Sequence, residues 1–450
     1  VDRLDEEEHP VARAESLFCA ATAALLLTAP LVAQQAPAPA AITLAEALRR
    51  TEEVTPSVVS GRGSMRSAEL AVRQAKWAFI PQITLQPQAN LQLNSGQSRV
   101  DPVTGEVVSG NTTNPSYGMN VAASLPIFDG FARNHSLRAA RAREDAAEAS
   151  YTTTRFQAAL AVTNAFFDAL ANKELLTVND AAVARAEEQL KVATARLRSG
   201  SGQRTDSLTA LVTLGQARQN RLNAQANLAN AEANLGRLVG TETRVAATND
   251  SAFYRTPAPL DTTALRGEAM AMAPVLRTST ANLAAAKAQL SQQKSAYWPT
   301  LNVSASTNYN ASKLNDYTLD ARRQLLVGLS IQPWTNFNRE TQVENQSIAV
   351  DNAEATLADQ RRQISAQLTQ NFASLANAQE AIEVAKASVQ ASEENVRVAE
   401  QRYKLGVMTI VELMQIQEQL TQAEVNEIQA RFTYLRTKAQ IEALVGRRLP

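Results

Sequence analysis

The stretch Glu400-Gln401-Arg402-Tyr403-Lys404-Leu405-Gly406-Val407-Met408-Thr409-Ile410-Val411-Glu412-Leu413 ends one long helical pattern and starts another. It has a counterpart, Thr194-Ala195-Arg196-Leu197-Arg198-Ser199-Gly200-Ser201-Gly202-Gln203-Arg204-Thr205-Asp206-Ser207. A slide of 206 positions lays Gly200 on Gly406, Arg196 on Arg402 and Asp206 on Glu412. Without a gap, the same slide lays Leu238-Val239-Gly240 on Leu444-Val445-Gly446. A repeat this long points to an internal duplication, one plan built twice.

Upstream of each hinge, apolar residues step by seven: Leu176, Val183, Leu190 and Leu197 in the first half, Ile382, Val389, Val396 and Tyr403 in the second. With Asn179, Ala186 and Ala193 as the smaller alternates, this predicts supercoiled helix pairs. The first long helix is expected from about Phe131 to Arg198, roughly 100 Å at 1.5 Å per residue. A return helix follows from about Thr205 to Leu238. Earlier, a helix capped by Thr43 should run to about Phe79, stopped by Pro81.

From Gln82 the period becomes two. Ile83, Leu85, Pro87, Ala89, Leu91 and Leu93 alternate with Gln82, Thr84, Gln86, Gln88, Asn90, Gln92 and Asn94. A polar loop, 95–116, leads to a second alternating run, Tyr117 to Leu125, closed by Pro126-Ile127-Phe128-Asp129-Gly130. The second half repeats this: a helix from about Leu265 to Tyr297, the break Trp298-Pro299, a strand Leu301 to Asn310, a loop 311–321, and a strand Leu325 to Gln332 closed by Pro333. Expected segments are a signal peptide 1–33 with a possible upstream extension, a linker 34–42, and a first repeat 43–240 holding hairpin 82–126 and hinge 199–205. An irregular connection 241–264 then leads to a second repeat 265–450 with hairpin 300–333 and hinge 405–411.

The apolar run Leu17 to Ala33 has the size of a signal core, although Asp2 to Glu8 is acidic where a signal is usually basic. A misassigned start is the alternative. Cys19 is the only cysteine; a lipid anchor there is disfavoured because Ser16-Leu17-Phe18 lacks the small residue expected before it. The chain carries 44 basic and 44 acidic residues, and without 1–33 the balance is +4. No basic stripe with interleaved aromatics marks a nucleic-acid partner. With no phosphate loop and no His/Cys cluster, there is no support for an enzyme, a metal site or a cofactor. Lone His135 reads as structural or solvated.

Four amphipathic strands are too few for a membrane barrel, which begins at about eight. Open edges in hydrocarbon leave backbone groups unsatisfied, so other copies must complete the sheet. Aromatics cluster where strands meet helices: Trp77, Phe79, Phe128, Tyr297, Trp298 and Trp334, with Phe337 beside them. They fit either an interface belt or ordinary junction packing.

These features, in duplicated order over essentially all of the chain after the signal, resemble the TolC-like outer membrane efflux duct family. The resemblance implies an α+β membrane protein: a homotrimer closing a twelve-stranded barrel from four strands per chain and continuing as a coiled-coil helical tunnel across the periplasm. It implies passive export of small molecules or proteins, by efflux or type I secretion, in a tripartite pump. The partners are a periplasmic adaptor (membrane fusion protein), an inner membrane transporter and outer membrane lipid. By the same resemblance, Asp206 and Tyr403 help to lock the periplasmic tip and Glu412 forms a carboxylate ring. The sequence departs from the family at Met408, where a basic latch is expected, and at Gln415, where a second acidic ring stands; Arg204 or Arg402 would replace the latch, or packing alone would hold the tip. Gly200, Ser201, Gly202, Gly406, Val407 and Thr409 mark an adaptor-docking tip. Read from the residues alone, Glu412 and Asp206 also suit the first turn of a helix, Tyr403 suits a heptad core, and the glycines suit positive φ or close approach. A trimeric, outer-membrane-anchored coiled-coil protein with a structural or adhesive role is the alternative.

Overall fold

The computed structural model describes residues 39–449 except 95–97, 101–102, 110–111, 255–260 and 312–319. The expected signal peptide 1–33 and Cys19 lie outside the described residues.

Two helices of 67 residues, α3 (Ala132–Arg198) and α7 (Asn338–Lys404), dominate the architecture. Each turns back into a return helix, α4 (Arg204–Leu238) and α8 (Ile410–Val445). α4 packs along α3, α8 along α7, and α3 along α8, so the helices run in the order α4, α3, α8, α7. Ion pairs join α3 to α8: Arg185 to Glu424 at 3.1 Å, and Arg436 to Asp168.

The helices expected over 43–79 and 265–297 are each broken once. α1 (Leu44–Val54) gives way to α2 (Pro56–Trp77), and α5 (Thr262–Met272) to α6 (Pro274–Lys294). The cause is local: proline at the first helical position has no N–H and pushes the preceding residue out of helical space. Thr55 (ψ 123°) and Ala273 (ψ 129°) are accordingly non-helical.

Beyond α2 and α6 lies a four-stranded antiparallel sheet: β2 (Gln82–Asn94), β5 (Thr112–Phe128), β7 (Thr300–Ala311) and β8 (Asp320–Ser330), in that spatial order. β5 starts at Thr112, within the stretch expected to be loop, because it pairs with β2 along the whole of that strand. The rest of that stretch includes a small hairpin, β3 (Ser98–Val100) with β4 (Val107–Ser109). The registers place Ile83, Ala123, Ala305 and Leu325 in one row across the sheet, so the alternating apolar sets share a face. Among the described residues no helix is long and apolar enough to cross a membrane.

Two cores sit midway along the long helices. One packs Val162, Phe166, Phe167 and Leu170 of α3 against Leu235, Val239 and Phe432; the other packs Ile364, Leu368, Phe372 and Leu375 of α7 against Leu276, Ile441 and Val445. The first is capped by a two-stranded parallel ladder, β1 (Ala40–Ile42) on β6 (Val245–Ala247). Those residues were expected to be a linker and an irregular connection. Three-residue strands carry no period, and burial of Ile42, Val245 and Ala247 is what fixes them.

Candidate functional site

Both long helices end in the same turn. Val407 N–H donates to the Arg402 carbonyl at 3.0 Å, as Ser201 N–H does to that of Arg196 at 3.0 Å. Gly200 (φ 75°) and Gly406 (φ 78°) sit in the left-handed region, where any side chain is strained. Gly202 is required for a different reason: a Cβ there would come within 2.9 Å of Arg196 Cβ.

Tyr403 is the centre of the tip. It is 2% exposed among Ala193, Ala210, Ala399, Ile410 and Leu413, with Met408 and Met414 packed against the cluster. Met408 therefore fills apolar space here. Burial pushes the Tyr403 phenol upward, partly offset by the Arg196 guanidinium beside it, and among the described residues no hydrogen bond of normal geometry reaches its hydroxyl. Arg196 crosses from the first hinge to the second: Nη1 donates to the Tyr403 carbonyl at 2.9 Å, and the guanidinium lies 4.9 Å from the centre of the Tyr403 ring. Asp206 is near enough for its charge to oppose that of Arg196 on the phenol.

The structure thus brings Asp206 into the neighbourhood of Tyr403 and sets Arg196 on the Tyr403 carbonyl and ring. Among the described residues, neither Arg204 nor Arg402 makes a side-chain hydrogen bond or a cation–ring contact with Tyr403; both are exposed. Sequence reasoning had placed Arg196 only as the counterpart of Arg402. No spacing signal marks it, because the contact crosses 207 positions between two helical hairpins.

Glu412 accepts from the Thr409 N–H at 2.9 Å, and the Thr409 hydroxyl accepts from the Glu412 N–H at 3.3 Å. This reciprocal cap satisfies two orphan donors of α8. The hydrogen bond from the Thr409 backbone, then that from its side chain, holds the Glu412 carboxyl below its usual range. Asp206 lies in the first turn of α4, half-buried, where Gln203 makes no side-chain cap. Gln415 is exposed one turn beyond Glu412. At the extreme tip Ser201 and Thr409 are exposed, Leu405 is 79% exposed and Val407 64%.

At the other end of the long helices, two further arginines repeat one arrangement. Both α3 and α7 begin after a left-handed phenylalanine, Phe131 (φ 66°) and Phe337 (φ 65°). Arg133 donates to the Ile127 carbonyl at 3.3 Å and lies 5.2 Å from the Phe79 ring; Arg339 donates to the Gln332 carbonyl at 3.2 Å and lies 4.2 Å from the Tyr297 ring. Phe128 packs edge-on against Phe131 at 5.5 Å. Trp77, Phe79, Tyr297, Trp298 and Trp334 are all exposed at this level, so junction packing leaves much of their surface uncovered.

The sequence model of the outer membrane efflux protein family matches this chain twice, over residues 47–241 and 265–447. The chain belongs to that family, whose members are TolC-like outer membrane channels. It is 25% identical over 405 residues to protein CyaE of Bordetella pertussis, covering 86% of this chain and 81% of the relative. Its fold is that of the Campylobacter jejuni CmeC outer membrane channel (TM-score 0.76, 14% identity, 90% of this chain and 85% of that one). It also resembles the outer membrane protein VceC of Vibrio cholerae (TM-score 0.71, 16% identity, 90% and 97%). A third likeness is to the Neisseria gonorrhoeae MtrE outer membrane channel (TM-score 0.72, 15% identity, 90% and 89%).

Proposed function

We propose that three copies of this chain form one export duct: a twelve-stranded barrel in the outer membrane, continued by a helical tunnel through the periplasm. The observation that carries this reading is that both layers are open at matching edges. The sheet ends in β2 and β8, and the helical layer ends in α4 and α7. One rotation that sets β8 beside β2 of the next copy also sets α7 beside α4 of that copy, so one symmetry closes both layers. Closure is compulsory in hydrocarbon, where unpaired strand edges are costly. Four strands per copy reach twelve with three copies, the number that the resemblance implies.

In this reading the uncharged Gln, Asn, Ser and Thr faces line a water-filled lumen and the apolar faces meet lipid. Trp77, Phe79, Phe128, Tyr297, Trp298 and Trp334 form the periplasmic interface belt. Helices of 67 residues, about 100 Å, far exceed a hydrocarbon core of about 30 Å, so they project and carry the hinges to the distal tip. The segments 43–240 and 265–450, joined by 241–264, act as two structural repeats.

At the tip, Gly200, Ser201, Gly202, Gly406, Val407 and Thr409 present the surface for the adaptor, which links the duct to an inner membrane transporter. Asp206, Tyr403 and Arg196 hold the two hairpins of each protomer together, with Arg196 supplying the cation that Met408 does not. Three copies of Glu412 ring the mouth and favour cations. Substrates, small molecules or proteins, are chosen by the pump. Planar-bilayer conductance tests the reading: small, cation-selective openings are expected, growing when Asp206 or Glu412 is replaced. A strictly sealed protein would instead support a structural anchor.

A further inference from the structure

The four-stranded sheet has three charged positions, Asp320, Arg322 and Arg323, all at the start of β8. Alternation puts Arg323 in register with the apolar set Leu325, Val327 and Leu329, whereas positions 320 and 322 fall in the other set. Across its row Arg323 meets Thr307, then Val121 and Leu85. It is exposed, and among the described residues no ion pair or hydrogen bond satisfies it. The strand that assembly would bring beside β8 is β2, which carries no charge. A cation is therefore left on a face whose neighbours, Leu325, Val327 and Leu329, are themselves widely exposed.

The depth of Arg323 identifies its partner. From Leu329 to Arg323 the strand advances about 20 Å, which is about 15 Å of height at a tilt of about 40°. Exposed Ile331 continues the odd-numbered apolar series on the helix side of Leu329, so Arg323 lies near the far edge of an apolar band about 25 Å tall. A lipid-facing arginine is strongly unfavourable at mid-bilayer and tolerated near an interface. Its aliphatic stem can lie along apolar surface while the guanidinium reaches the headgroups. Tyr309, diagonal to Arg323 on the same face, is the residue type that occupies that level.

We infer that Arg323 binds the phosphate of an anionic lipid at the membrane boundary opposite the helical tunnel. The inference rests on the barrel reading above. The guanidinium fork matches two phosphate oxygens, and lipid tails complete the apolar surface beneath it.

The test titrates the detergent-purified assembly with lipid A, a phosphate-bearing lipid, and counts bound lipid by native mass spectrometry. Arg323→Gln should weaken binding about tenfold, the scale of losing a charge-assisted hydrogen bond. Arg323→Lys should retain part of the affinity, and Arg322→Gln all of it. Unchanged binding in Arg323→Gln, or an equal loss in Arg322→Gln, overturns the inference. If Arg323→Gln does not assemble, the wild-type chain decides: binding zwitterionic phosphatidylcholine as tightly as lipid A overturns it. A wild-type protein that conducts across phosphatidylcholine bilayers without preferring lipid A refutes the lipid site and leaves the duct reading standing. Failure to insert or conduct refutes the barrel itself.

Discussion

At the residue scale, the tip depends on one arginine serving two hinges. Arg196 belongs to the first hairpin by sequence but makes its polar contact with the second, through the Tyr403 carbonyl and ring. Arg196→Ala should leave the helices intact and raise resting conductance, because the two hinges then lose the hydrogen bond to the Tyr403 carbonyl and the cation–ring contact that link them. Conductance indistinguishable from wild type would refute this role. Thr409→Ala removes the side-chain acceptor of the α8 cap and should cost about 1 kcal/mol, read from thermal unfolding with amide exchange at the first turn of α8. The Glu412 carboxyl, held below its ordinary range, stabilises the cap above that range and loses this contribution as pH falls through the lowered value. Acidification should therefore loosen the first turn of α8 in the wild type. In Glu412→Gln the turn should already be looser and show no such pH dependence; a matching acid transition in that variant would exclude Glu412 as the cause.

At the element scale, the junction where strands feed the long helices is constrained by close approach. Gly130 has φ 63°, and a Cβ there would lie 2.4 Å from Trp298 Cβ and 2.8 Å from the Ser295 carbonyl. Gly130→Ala should destabilise the fold by more than about 1–2 kcal/mol, since the left-handed penalty alone is of that size. Gly63, mid-helix in α2 with nothing within 4 Å, is the contrast. Gly63→Ala should stabilise by about 0.5–1 kcal/mol. Thermal unfolding of the two variants should therefore shift in opposite directions. Pro126-Ile127-Phe128-Asp129-Gly130 stood out in sequence as a strand exit; that the exit is locked by Trp298, from the other half of the chain, did not.

At the scale of the whole molecule, the unpaired edges set the behaviour. α4 leaves Leu208, Leu211, Leu222 and Val212 (73% exposed) uncovered, and α7 leaves Val384 and Val398. If α4 meets α7 of the next copy, Val212→Glu should weaken trimer formation without unfolding the protomer. Native mass spectrometry and circular dichroism of the same sample would show this. An intact trimer would place the seam elsewhere.

The sequence by itself determined the order of elements in each half: helix, hairpin, long helix, hinge and return helix. Periods of two and of seven, and the punctuation by glycine and proline, are local properties written along the chain. Asp206, Tyr403 and Glu412 were singled out through the family resemblance, and the prolines at 56 and 274 offered a helix-break signal that the expected long helices passed over. The β1–β6 ladder, the Arg196 crossing, the locking of Gly130 by Trp298 and the order of helices were decided only in the tertiary structure. Each joins residues far apart in the chain, and burial and hydrogen bonding between such residues leave no period in either partner.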